Sequence, residues 1–101
     1  MVAPVAQTSA TASRATTPFT VDKPTGTVNG DLLILAVNGD LAASEDITYT
    51  VPAGWIELLV NTRSHATNAG VNLQVWYKIA ASEGANYSIS TSAANLTGAA
   101  V

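Results

Sequence analysis

Few side chains in this sequence have types and spacing that could do chemistry. His65 is the single imidazole. A histidine-activated nucleophile needs the base held against it and a third group that orients the base. Ser64 adjoins His65, but adjacent side chains on an extended chain diverge, so the pair reads as a solvated loop. Asp40, Glu45 and Asp46 gather in one polar stretch, and with Asn38 they offer the oxygen ligands that Ca²⁺ prefers. Their spacing follows no EF-hand pattern, and a solvated loop is the simpler reading. Gly26 and Gly30 run into a strand-like segment instead of a helix, so they form no phosphate loop. The chain has no Cys, which excludes disulfides and thiolate metal sites. These residues predict no catalytic group, no metal and no cofactor.

The remaining handles are aromatic. Trp55 follows a Pro52-Ala53-Gly54 turn and is expected to fill the core or its edge. Trp76 shares one side of its strand with Asn72, Gln74 and Lys78, which leaves two readings open: a wet face or subunit contact, or a place in the sandwich core. On a wet face Asn72, Gln74 and Trp76 are candidates for contact with a glycan or a neighbouring subunit.

The elements that must position these groups are strands. Phe19 and Val21 share one face of the first. Asn29-Gly30-Asp31 is a turn that launches Leu32 to Val37, apolar on both sides and so expected to be a central strand covered on both faces. Asn38-Gly39-Asp40 reads as its end. Short strands follow from Ile47 to Val51 and from Trp55 to Asn61. From Val71 to Ile79 the pattern alternates, with Val71, Leu73, Val75, Tyr77 and Ile79 on one side and Asn72, Gln74, Trp76 and Lys78 on the other. Residues 80–85 connect, with room for one helical turn. Tyr87, Ile89 and Thr91 then alternate with serines, and Leu96 to Val101 reads as the start of another strand. Turn-punctuated strands without a long amphipathic helix predict an all-β, antiparallel β-sandwich of jelly-roll type.

Composition bounds the rest. At 101 residues the chain is one domain. Charged residues are 11% and the net charge is -3. The four scattered cations, Arg14, Lys23, Arg63 and Lys78, make no basic patch, so nucleic acid is not an expected partner. No apolar run approaches the roughly 20 residues of a membrane span, and no membrane insertion is expected. The N-terminus lacks the basic and apolar regions of a signal peptide. Thr and Ser stand where Lys and Glu usually do, and a surface so poor in charge is weakly protected against association. Residues 1–17 are mostly Ala, Thr and Ser. They predict an extended arm that orders on a neighbour by strand addition, with Val2, Pro4 and Val5 as its docking residues. Residues 18–101 form the sandwich, which is expected to continue past the apolar run at Val101.

Three segments also carry a resemblance. They are Pro24-Thr25-Gly26-Thr27-Val28-Asn29-Gly30-Asp31-Leu32-Leu33-Ile34, then Pro52-Ala53-Gly54-Trp55, then Trp76-Tyr77-Lys78-Ile79-Ala80 with Tyr87-Ser88-Ile89-Ser90. In this order the set resembles a β-sandwich domain of tailed bacteriophages and prophages, found in tail-fibre, head-fibre and minor virion proteins. The resemblance spans about residues 18 to 101 and brings no catalytic motif. It implies a non-enzymatic virion protein: the anchoring module of a tail or head fibre, or a capsid-surface decoration protein, with a contribution to host attachment. It further implies other virion proteins as partners and a homo-oligomer, with a trimer as the expected symmetry. The rival expectation is a carbohydrate-binding module that recognises host polysaccharide through the Trp76 face.

Overall fold

The computed structural model describes residues 11–12, 18–41, 48–63, 70–92 and 96–101. These residues form eight strands and no helix. The strands are β1 (Thr11–Ala12), β2 (Phe19–Asp22), β3 (Leu32–Leu41), β4 (Tyr49–Thr50), β5 (Ile56–Arg63), β6 (Gly70–Ile79), β7 (Asn86–Thr91) and β8 (Leu96–Ala100). One sheet has the order β1-β8-β3-β6-β5 and the other β2-β7-β4. Every pairing is antiparallel. The pairing is nested: β1 with β8, β2 with β7, β3 with β6. The expected all-β antiparallel fold is therefore present. Part of the expected N-terminal arm, Thr11–Ala12, is an edge strand on β8. Val2, Pro4 and Val5 lie outside the described residues, as do Ile47 and the loop around His65.

The register of β3 on β6 sets which residues of the two strands share a face of the larger sheet. Leu33 pairs with Lys78, Leu35 with Trp76, Val37 with Gln74 and Gly39 with Asn72. Paired residues share a face. Leu33, Leu35, Val37 and Trp76 are buried in one cluster with Phe19, Val21, Tyr49, Tyr87 and Ile89 of the smaller sheet. Tyr49 meets Trp76 edge-on at 6.3 Å between ring centroids, a favoured aromatic geometry.

Two expectations are corrected here. The Trp76 side of β6 is not wet: Asn72 is 1% exposed, Gln74 7% and Trp76 5%. Both residues have an interaction partner, although Asn72 Oδ1 itself accepts no hydrogen bond among the described residues. The opposite side of β6 is outward. Leu73 and Ile79 are exposed there, and so are Leu32 and Ile34 beside them on β3. Alternation identifies two faces of a strand but does not say which is inward. The indole of Trp76, with roughly 150–250 Å² to bury, and its partner Leu35 decide it. For the same reason β3, though central, is covered by protein on one side only.

The second correction concerns Asn38-Gly39-Asp40. They do not end β3, which runs on to Leu41 against Gly70. Against β6 these three residues pair without a shift, so they continue the strand; the pairing of β3 with β8 shifts register between Asn38 and Gly39, where the extra residue lies on β8. A second shift, between Glu57 and Leu59, interrupts the simple alternation expected of β5.

These faces predict opposite responses to substitution. Leu35→Ala should lower unfolding stability by about 2–5 kcal/mol. Ile34→Thr, one residue away on the outward side, should change it by less than about 0.5 kcal/mol. Urea denaturation of a dilute sample measures both.

Candidate functional site

The three segments singled out in the sequence meet at one end of the molecule. The first two begin with tight turns, and the third runs from the end of β6 through a connection into β7. Pro24 O accepts hydrogen bonds from Thr27 N at 3.3 Å and from Thr27 Oγ1 at 2.7 Å. Val28 O accepts from Asp31 N at 3.2 Å, while Asp31 Oδ2 accepts from Val28 N at 2.9 Å. Gly30 sits at φ 96° in that turn, a backbone state that favours glycine. The turn before β5 holds Gly54 at φ 95°.

Backbone bonds then join the turns to the connection between β6 and β7. Gly30 N donates to Ala80 O and Ala80 N to Asp31 O, both at 2.8 Å, which extends the β3–β6 ladder past its last strand pair. Asn29 Oδ1 accepts from Ser82 N at 2.7 Å. Ser82 is held there at φ 54°, in the left-handed region, so this connection is a bent loop without the helical turn that seemed possible. Lys23 N donates to Ala85 O at 2.9 Å and closes the end of the smaller sheet.

Inside this frame lies a small polar cluster. Lys78 Nζ is 2.8 Å from Glu83 Oε1, with the two side chains only 17% and 5% exposed. The ammonium lies 5.7 Å from the centroid of the Trp55 ring, within cation–π range. Trp55 packs edge-on against Tyr87 at 5.2 Å. Glu83 Oε1 also accepts from Ala81 N at 2.9 Å. The Tyr87 hydroxyl lies beside the same carboxylate, though its geometry falls short of a full hydrogen bond.

The electrostatics follow from these contacts. Burial pushes the Glu83 carboxyl up, but the hydrogen bonds from Lys78 and Ala81 N, the adjacent Tyr87 hydroxyl and the Lys78 charge outweigh it and hold the group below the usual glutamate range. Burial raises the Tyr87 hydroxyl, and the neighbouring Glu83 raises it further. Tyr49, at the core, is pushed up to about 12 by burial.

Chemically the arrangement is closed. Lys78 and Glu83 are occupied with each other, and no group of three or more His, Cys, Asp or Glu gathers among the described residues. The cluster acts as a clasp between turns. Trp55 fills the core edge, as its position after the turn implied. Asn72, Gln74 and Trp76 are together on one face, but that face is interior. Glu45, Asp46 and His65 lie outside the described residues. The Lys78–Glu83 clasp escaped the sequence reading. Its only signal was two opposite charges five positions apart, flanking a turn in a chain with few charges.

Compared with protein-family models, with curated proteins and with solved structures, the chain has no match.

The clasp predicts a pH profile. Glu83 is held below its ordinary value of 4.5, so its contribution is complete above that pH and is lost as pH falls through the lowered value. Glu83→Gln should therefore destabilise the protein by about 1–3 kcal/mol at neutral pH and flatten the acid limb. Tyr49 behaves oppositely: its contribution is complete below pH 10 and falls as pH rises towards 12. Its hydroxyl is buried without a hydrogen-bond partner among the described residues. Tyr49→Phe should then be neutral or stabilising at pH 7 and should reduce the alkaline loss. Thermal melts from pH 2 to pH 12 (about one-unit steps, ample to resolve shifts of this kind) check both.

Proposed function

We propose that the chain is a non-enzymatic structural module of a tailed-phage virion: the anchoring part of a tail or head fibre, or a decoration protein on the capsid surface. It works as a homo-oligomer, a trimer by the expected symmetry, and its partners are other virion proteins. The observation that carries this reading is the convergence just described. The segments behind the resemblance fit together as one interlocked end, and their charged groups are consumed in holding it. Such a set behaves as a fold signature with no chemistry of its own.

The strand order adds support. We read the two sheets as a β-sandwich of jelly-roll type. Nested pairing of β1 with β8, β2 with β7 and β3 with β6 is that of a long hairpin rolled into two layers. The departure is β5, which pairs with β6 and leaves β4 as an edge of the smaller sheet. Jelly rolls serve both capsid proteins and lectins, so architecture alone does not choose between them. The glycan reading rested on an exposed Trp76 with Asn72 and Gln74, and all three are interior. The structural reading needs no exposed aromatic platform.

Two measurements test the proposal. Purified particles from the phage or prophage that encodes the chain should contain it, by mass spectrometry and by antibody labelling at a defined virion location. Its absence from particles overturns the reading. For the arm, truncation should stop before Thr11, which belongs to β1. Removing residues 1–10 should leave the fold intact and abolish incorporation. Normal incorporation of that truncated chain refutes the docking role of Val2, Pro4 and Val5.

A further inference from the structure

The outward side of the larger sheet is apolar across three strands. Leu32 on β3 pairs with Ile79 on β6; in the next row Ile34, Tyr77 and Ile56 lie side by side across β3, β6 and β5. In the row beyond, Ala36, Val75 and Leu59 do the same. Leu32, Ile34, Ile56, Leu59 and Ile79 are each 47–59% exposed. None of the residues in these rows is charged.

We propose that this face is where a second copy of the chain packs. The inference rests on the oligomeric part of the reading above and not on its virion part. Three observations support it. The first is area. Five half-exposed aliphatic side chains with Tyr77 and Val75 between them present on the order of 500 Å² of apolar surface, at the top of what a monomer shows. A standard interface takes about 800 Å² from each partner, of which roughly 65% is apolar in homodimers. The face supplies about that apolar share.

The second observation is charge. A chain of net charge -3 repels its own copies, but the nearby charges stand elsewhere. Lys78 and Glu57 are in register with Leu33 and Trp76, on the other side of the sheet. An uncharged face offers nothing to select a partner of opposite charge and nothing to repel an identical one. Two such sheets carry the same twist and can stack at about 10 Å, the usual spacing of packed sheets. The third is pattern. The apolar residues that alternation gathers on one side of β6, Leu73, Val75, Tyr77 and Ile79, are those on this face. That sequence pattern is satisfied when another copy covers them. A two-fold contact is self-complementary, and a closed trimer can gather the same face around its axis.

The test is the mass of the full chain in solution by light scattering and analytical ultracentrifugation, with the double variant Ile34→Thr, Ile79→Thr beside it. Threonine retains the β-branch and suits an exposed strand. The wild type should be a dimer or trimer at micromolar concentration, and the double variant should associate about a hundredfold more weakly with an unchanged circular dichroism spectrum. Should the double variant misfold, Ile34→Cys supplies a second reading, because the chain has no other cysteine. Oxidation should then link copies through position 34 at concentrations where a control, Ser88→Cys on β7, does not. A wild-type monomer overturns both this inference and the oligomeric part of the functional reading. An oligomer that survives the double variant, or that links no better through position 34 than through position 88, overturns the inference alone.

Discussion

Everything in this fold depends on the register of β3 against β6. Setting Leu35 opposite Trp76 aims one side of the larger sheet at Val21, Tyr49 and Ile89 and leaves the other side outward. A slip of one residue would turn β6 over relative to β3, because side chains alternate with a period of two. It would keep Leu33 and Leu35 inward, bring Val75, Tyr77 and Ile79 round to their side and expel the indole. Both arrangements offer apolar surface, so hydropathy alone cannot choose. The choice is made at the end of the ladder. Gly30 and Asp31 bond reciprocally with Ala80, and Asn29 with Ser82, which pins the two strands in one alignment.

The polar clasp and the core are therefore parts of one device. Lys78 is in register with Leu33, on the inward side, and its charge must be met where the sheet ends. Glu83 meets it, Trp55 covers it and Tyr87 braces the ring. A charge this close to an apolar core is tolerated because it is paired and hydrogen-bonded. In return the pair specifies how the β6–β7 connection lies over the turns.

Much of this was legible in the sequence. The alternations Phe19/Val21 and Tyr87/Ile89 named their buried faces correctly, since serine, threonine and aspartate lie opposite them. The turns at Asn29-Gly30 and Pro52-Ala53-Gly54 declared themselves through glycine. Asn38-Gly39-Asp40 misled because turn-prone residues can also continue a strand, and only their long-range pairing with β6 tells the two apart. The Trp76 face stayed open between wet and core because both sides of β6 carry apolar residues. The clasp stayed hidden because its parts come together over long separations: Asn29 and Ser82 are 53 positions apart. No local pattern reports such a contact.

Nested pairing has a temporal side as well. Among the described strands only β5 and β6 pair with an immediate neighbour in sequence. Phe19 finds its partner in Ile89, 70 residues later in the chain. At a ribosome adding about 5–20 residues per second, that partner appears on the order of 4–14 s after Phe19. Throughout that interval the apolar side of β2 has no sheet to join. The chain is thus committed to folding late and all at once, with β2 waiting on β7.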